Sequence, residues 1–455
     1  MSKRENFGTK LGVVLATAGS AVGLGNIWRF PIETGRNGGA AFILIYVACI
    51  LLLGLPVMLS EFIIGRRSQS NATGAFHKLA PGTPWKWVGR LGVFAGFIVL
   101  SYYSVVAGWT VEYAMLALTN QFAGKSTADF PRIFSEFSSD PLMPVIWLIF
   151  FIVLTHLVVV RGVTRGIERW SKVLMPMLLA IVMLLVVCAV FQPGAGSGVE
   201  FLLKPDFSKV TGNVVINAMG QAFFSLSLGL GCLCTYASYF NKKTNLARTA
   251  LEVCLIDTLI ALMAGFIIFP AAASAHYDLQ PGDIGPSLIF ITLPNVFQQA
   301  FGSLPWLAYI FSAMFYLLLI LAALTSTISM HEIVTSYMSE EYQMKRTRAA
   351  YIETGGCIVV GVLCSLSFGV LGDVQIFGMS IFDFCDWIVS KCCMPIGAIF
   401  ISLFVGWYLD RRLVHDEITN GGTLRAPYLT VLIYILRYFT PLAILVIFLN
   451  QFGMF

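Results

Sequence analysis

Apolar residues run through this chain in blocks too long for the core of a soluble domain. Eleven blocks, near residues 11–36, 40–65, 89–122, 143–160, 170–191, 213–240, 249–275, 301–337, 351–371, 378–406 and 428–451, are long enough to span a bilayer. A helix crossing the roughly 30 Å hydrocarbon core needs about 20 such residues. The pattern predicts an all-α polytopic membrane protein with eleven transmembrane helices. No linker, low-complexity tract or soluble domain interrupts it, so residues 1–455 read as one transmembrane domain. The first block follows "MSKRENFGTK" without a small-residue cleavage site and reads as retained structure, not a signal peptide.

Two blocks break the helical code. "TAGSAVGLGNIWRFP", Thr17 to Pro31, places Gly19, Gly23 and Gly25 close together, then the polar Asn26 and the cationic Arg29. "GQAFFSLSLGLGCLCTYASY", Gly220 to Tyr239, carries Ser225, Ser227, Gly229 and Gly231 in mid-span. Each interior Gly costs a helix about 1 kcal/mol relative to Ala. Unwound backbone survives at membrane depth only when buried in protein or lining a wet cavity. Glycines also serve close helix packing, and either cluster alone fits that reading. Their positions favour the other one. They fall in the first and sixth of eleven spans, matching places if five spans repeat as five, and paired interruptions of that kind point to a transporter binding site near the midplane. Freed N–H groups at a half-helix start can hold a carboxylate, and freed carbonyls a cation. In the eighth span, "LAALTSTISM" adds the uncharged hydroxyls of Thr325, Ser326, Thr327 and Ser329. Hard cations favour such oxygen ligands, although Ser and Thr hydroxyls also bond back to their own helix carbonyls.

Composition agrees with the pattern, at 57% hydrophobic and 12% charged residues. Lys3, Arg4, Lys10, Arg66, Arg67, Lys78, Lys86, Arg90, Arg161, Arg165, Arg169, Lys172, Lys242, Lys243 and Arg248 flank alternate spans, while Asp129, Glu136, Asp140, Asp278, Asp283 and Asp373 occupy the other loops. The positive-inside rule places the N-terminus in the cytoplasm, and an odd span count places the C-terminus outside. The net charge of +5 comes from these loops and does not indicate nucleic-acid binding. All ten cysteines lie in or beside apolar segments, without zinc-ligand spacing. Asn71-Ala72-Thr73 matches a glycosylation acceptor but falls on the cytoplasmic side. The histidines His77, His156, His276, His331 and His415 are scattered, with no HExxH motif and no P-loop, which argues against an enzyme and against ATP-driven transport. No continuous polar stripe or filter loop suggests a channel.

"AGSAVGLGNIWRFP", "NGGAAFILIY", "GQAFFSLSLGLG" with "TYASY", "LAALTSTIS" and "RGVTRGIERWSK" resemble the neurotransmitter:sodium symporters, in particular the bacterial amino-acid branch typified by the leucine transporter. The resemblance runs from about residue 3 to 450. It implies a five-plus-five inverted repeat with broken first and sixth helices, repeats at about 11–191 and 213–406, and an extra helix at about 428–451. It also implies two sodium ions. One would be held by the Ala21 carbonyl, Asn26, Ser225 and Asp257 with the substrate carboxylate. The other would be held by the carbonyls of Gly19, Val22 and Ala322 with the hydroxyls of Thr325 and Ser326. The substrate would touch Ala21, Gly25, Tyr103, Phe224, Ser225, Ser227, Leu230, Ser326 and Met330. Tyr103 has Tyr102 beside it, and a one-residue shift of register would exchange their roles.

Gly23 stands where monoamine transporters of the family carry Asp, so the substrate should bring its own carboxylate. Leu230 and Met330 leave an adaptable, roomy pocket. The resemblance therefore implies import of a neutral hydrophobic or aromatic amino acid; a sensor of the same fold without turnover is the alternative. Arg29 with Asp386 in "FDFCDW" would form an outer gate, and Arg4 with Glu340, which Glu341 follows, an inner one. Tyr46 and Gln221 match two ligands of the family's chloride site, but the serine position reads Ala261. One turn earlier stands Asp257, a carboxylate able to substitute for chloride, and this implies chloride independence. The partners implied are the amino acid, sodium and the bilayer, with no organic cofactor; nothing indicates an oligomeric state.

Overall fold

The structure, a computed structural model, describes residues 5–277, 286–302 and 304–454. Lys3, Arg4, Asp278 and Asp283 lie outside the described residues. The principal helices are α1 (Lys10–Ala21), α2 (Gly25–Arg36), α3 (Ala40–Ser68), α4 (Lys86–Leu118), α5 (Met143–Val159) and α6 (Val163–Val190). They are followed by α7 (Gly212–Ser225), α8 (Cys232–Ala237), α9 (Leu246–Ser274), α10 (Pro305–Glu341), α11 (Arg346–Leu366), α12 (Ile381–Tyr408) and α13 (Leu429–Gln451). No strand forms among the described residues. Eight of these helices are long and apolar enough to cross a bilayer, or up to ten spans if each of two bent pairs counts as one. α1 and α2 are one such pair, bent by 58°. The other joins α5 to a short helix, Asp129–Ser139, which lies within the stretch read from sequence as an outside loop.

Side-chain caps start several helices. Thr9 accepts from the Gly12 N–H at 3.0 Å, Asn245 from Arg248 at 3.0 Å and Ser380 from Asp383 at 3.1 Å. Each replaces a backbone partner that the first turn lacks. The long helices pack α10 along α4, α9 along α6, and α11 across α4 and α5. At one end of α4, Trp109 is buried with its ring edge-on to Phe134, Phe290 and Phe368 at centroid distances of 5.3, 5.7 and 5.0 Å.

α1 ends because Val22 turns extended, at φ −66° and ψ 119°. α7 ends in a run of unusual backbone: Ser227, Gly229 and Gly231 have φ of 52°, 83° and 76° before α8 begins. Neither α7 nor α8 alone could cross a membrane, so the sixth apolar block is two short helices around a turn. The turn sits against α12, where a Cβ on Gly229 would collide with the Met394 carbonyl and lie 3.0 Å from the Ala398 nitrogen.

Gly229→Ala combines left-handed strain of about 1–2 kcal/mol with an overpacking cost of about 1–3 kcal/mol. Gly82→Ala carries the strain alone, because nothing lies within 4 Å of its added Cβ at φ +75°. Thermal unfolding in detergent is expected to show a clearly larger fall in Tm for Gly229→Ala than for Gly82→Ala.

Candidate functional site

An unbroken α1 would send the Gly23 and Leu24 N–H groups to the carbonyls of Gly19 and Ser20. Here the Gly23 N–H goes to Asn26 Oδ1 at 3.0 Å and the Leu24 N–H to the Tyr103 hydroxyl at 2.9 Å. The last carbonyls of α1 thus lose their helical donors at the point where α10 passes. Ser326 Oγ donates across to the Val22 carbonyl at 2.8 Å, and Thr325 Oγ1 to the Ala322 carbonyl at 3.0 Å. Gly19 is so close that an added Cβ would lie 3.2 Å from Thr325 Cβ. Gly19, Val22, Ala322, Thr325 and Ser326 therefore lie together where α1 ends against α10. Thr325 and Thr327 bond back to their own helix, on Ala322 at 3.0 Å and Leu324 at 3.1 Å, and Thr327 also lies 2.9 Å from Thr155 Oγ1 of α5, whereas Ser326 Oγ reaches the Val22 carbonyl.

A second cluster lies on the other side of the break. Asn26 Nδ2 donates to Ser225 Oγ at 3.0 Å and to Asp257 Oδ1 at 2.8 Å. Ser225 Oγ donates to Asp257 Oδ2 at 2.7 Å and accepts from the Tyr46 hydroxyl at 3.3 Å. All four side chains are buried. Ala21, the last residue of α1, is buried too. The orientation of Asn26 differs from the sequence expectation of an amide oxygen offered to an ion: that oxygen takes the Gly23 N–H and the NH₂ turns to the carboxylate. Gln221, also buried, has no hydrogen-bond partner on either side-chain polar atom among the described residues.

The two adjacent tyrosines of α4 separate cleanly. Tyr103 meets the break, whereas Tyr102 donates to Asp386 Oδ1 at 2.9 Å. Both tyrosines, with Arg29, Phe224 and Asp386, line a cavity of about 610 Å³. The Arg29 guanidinium carbon sits 4.1 Å from the Phe224 ring centroid. Arg29 and Asp386 make no direct ion pair within 4.0 Å among the described residues, since one is stacked on Phe224 and the other is held by Tyr102. Of the other residues expected around the substrate, Ala21, Ser225, Leu230, Ser326 and Met330 are buried and do not line this cavity, and Gly25 and Ser227 are half-buried. Gly23 is tightly enclosed, so a larger residue there would require its neighbours to shift. A Cβ there would lie 2.7 Å from Ser326 Oγ and 3.0 Å from the Tyr103 hydroxyl.

At the far end of α10, Glu340 accepts from the Asn71 backbone N–H at 2.9 Å and its Nδ2 at 3.0 Å, while Glu341 accepts from Asn71 Nδ2 at 3.1 Å. Arg4, the expected partner of Glu340, lies outside the described residues. Asn71 is buried and caps a short helix, Ala72–Leu79, through Thr73 and Gly74.

Sequence reasoning missed two features. Glu61 on α3 is fully buried and accepts from the Gly229 N–H at 2.9 Å and the Cys234 N–H at 3.1 Å, so it holds the turn before α8 and the first turn of α8 itself. The signal was present, because Glu61 is the lone acid inside the second apolar block and ionisable residues there are rare. Two histidines read as scattered also meet: Thr354 Oγ1 lies 2.8 Å from His156 Nδ1 and 2.9 Å from His331 Nε2. Among the described residues no group of three or more His, Cys, Asp or Glu is arranged to hold a metal ion.

The chain also matches known proteins over its length. The model of the sodium:neurotransmitter symporter family matches residues 4–132 and 138–455. The uncharacterized sodium-dependent transporter YhdH of Bacillus subtilis is 41% identical over 454 residues, covering 99% of this chain and 98% of that protein. An uncharacterized sodium-dependent transporter of Haemophilus influenzae is 34% identical over 464 residues, covering 99% and 98%. Among solved structures, the crystal structure of MhsT in complex with L-phenylalanine is similar at a TM-score of 0.88 and 41% identity, over 98% of this chain and 99% of that one. Open carbonyls at a helix break, hydroxyls of α10 set against them and this similarity from end to end agree: the chain belongs to the sodium:neurotransmitter symporter family.

Proposed function

We propose that this chain is a sodium-coupled symporter that imports a neutral hydrophobic or aromatic L-amino acid by alternating access. The observation that carries the reading is the Ser326 hydroxyl on the Val22 carbonyl, at the point where the next two N–H groups are diverted to Asn26 and Tyr103. Oxygens left without helical donors, with neutral hydroxyls beside them, make a cradle suited to Na⁺. The phenylalanine bound to MhsT supports an amino-acid substrate for its relative.

In this reading α1 with α2, and α7 with α8, are each one broken span, giving eleven spans in two inverted five-helix repeats, with α13 as the extra helix. The N-terminus is cytoplasmic and the C-terminus outside. One sodium takes Gly19, Val22, Ala322, Thr325 and Ser326. The other takes Ala21, Asn26, Ser225 and Asp257. The substrate carboxylate completes that second site beside Gly25 and the Tyr103 hydroxyl. Its side chain lies among Phe224, Ser227, Leu230 and Met330. Asp257 supplies the fixed negative charge that makes chloride unnecessary. Arg29 and Asp386 close the outer side by approaching one another, and Arg4 with Glu340 the inner side.

The coupling suffices for concentrative uptake. Two Na⁺ falling through 100 mV release about 4.6 kcal/mol, at about 2.3 kcal/mol per charge. At about 1.4 kcal/mol per tenfold, this supports roughly a thousandfold accumulation of a net-neutral amino acid.

The deciding experiment is uptake into proteoliposomes with a competition panel of the twenty amino acids. Uptake is expected in sodium and not in potassium or choline, with Phe, Trp, Tyr and Leu the strongest competitors. Binding that is equal in all three salts would overturn the reading, and binding without labelled counterflow would make the protein a sensor. Ser326→Ala should weaken apparent sodium affinity roughly tenfold or more, the effect of losing a contact to a charged group. Wild-type rates should not respond to chloride at constant sodium, whereas Asp257→Asn should lose sodium affinity and gain a chloride response.

A further inference from the structure

The first turns of α4 present a ridge outward, with Trp87, Arg90 and Phe94 exposed on one helix face. A groove runs along each side of this ridge. The first, about 780 Å³, lies between α4 and α12 and is lined by Trp85, Leu91, Ile396 and Phe400. The second, about 490 Å³, lies between α4 and the α10–α11 pair and is lined by Phe97, Val334, Met338 and Ile352. Phe94 lines both, so the two grooves share one wall.

The charged end of the ridge borders the first groove, which Arg90 lines. Its guanidinium lies 4.7 Å from the Trp87 ring centroid, with no carboxylate oxygen within 4.0 Å among the described residues. Glu341 accepts from Asn71. Lys86 stands one turn before Arg90 on the same face.

An apolar groove alone says only that lipid lies beside the protein. The dimensions here say more. From Lys86 to Phe97 the helix rises about 16 Å at 1.5 Å per residue, close to one leaflet of a roughly 30 Å hydrocarbon core. Two grooves divided by an aromatic ridge, with cations at one end that no carboxylate among the described residues pairs, match two acyl chains joined to one anionic headgroup. We propose that this face is a specific site for an anionic diacyl phospholipid in the leaflet that the Lys86 end of α4 enters. The headgroup phosphate rests on Arg90 and Lys86, and one chain lies on either side of Phe94. The lipid then bridges α12 to α10 and α11 across α4.

The test is native mass spectrometry of the purified full chain, titrated separately with dioleoyl phosphatidylglycerol and dioleoyl phosphatidylcholine. The wild type is expected to retain one phosphatidylglycerol in preference to phosphatidylcholine. Arg90→Gln should cut that preference by about fivefold, the effect of one cation near an anionic headgroup. Ile396→Trp, which fills the first groove, should weaken both lipids and leave their ratio unchanged. An unchanged ratio in Arg90→Gln shows general annular lipid and overturns the proposal. Undiminished binding in Ile396→Trp, or a protein dimer that excludes the lipid, does so equally. Thermal unfolding of each variant checks the fold, and Arg90→Gln, a surface change, decides the headgroup question if Ile396→Trp does not fold.

Discussion

A backbone N–H or C=O without a partner is costly inside hydrocarbon, and this structure turns on the way that constraint is met at two helix breaks. Four N–H groups are given a side chain: Asn26 for Gly23, Tyr103 for Leu24, and Glu61 for Gly229 and Cys234. The carbonyls at the end of α1 receive no equivalent set of donors from the helix. Satisfying one half of the backbone so fully is what leaves the other half available to ligands.

The same constraint explains why so many helices converge on one point. Each break borrows from a neighbour it cannot reach through its own chain, so α3 contributes Glu61, α4 Tyr103, α9 Asp257 and α10 Ser326. The close approaches follow. Gly92 of α4 lies where any side chain would press on the Leu230 carbonyl, 2.7 Å from an added Cβ. Gly23 is enclosed by the same hydroxyls that organise the break. A Cβ at that position would crowd the Ser326 and Tyr103 hydroxyls, so a larger residue there requires them to shift.

Much of this was legible in the chain. Block length and block polarity reveal the helices, and glycines beside polar residues in mid-block reveal the breaks, because both are local properties. The hydroxyl patch of α10 was visible, yet only the structure shows that Ser326 reaches the Val22 carbonyl and Thr327 the Thr155 hydroxyl of α5. The direction of the Asn26 amide was not readable, since it depends on a carboxylate 231 positions away. Glu61 was conspicuous as an acid in an apolar run, but its role as a cap requires knowing which helix end faces it. His156 and His331 meet through Thr354, a residue with no distinguishing mark in the sequence.

Tyr102 and Tyr103 leave α4 from neighbouring positions, about 100° apart around an axis of 3.6 residues per turn. One grips Asp386 on α12, and the other grips the chain between α1 and α2. A rigid rod held by two such spokes cannot roll about its long axis without stretching at least one of them. Beyond its packing, α4 is therefore pinned in azimuth by two hydroxyls, and any movement that rolls it has to release Asp386 or the chain at Leu24.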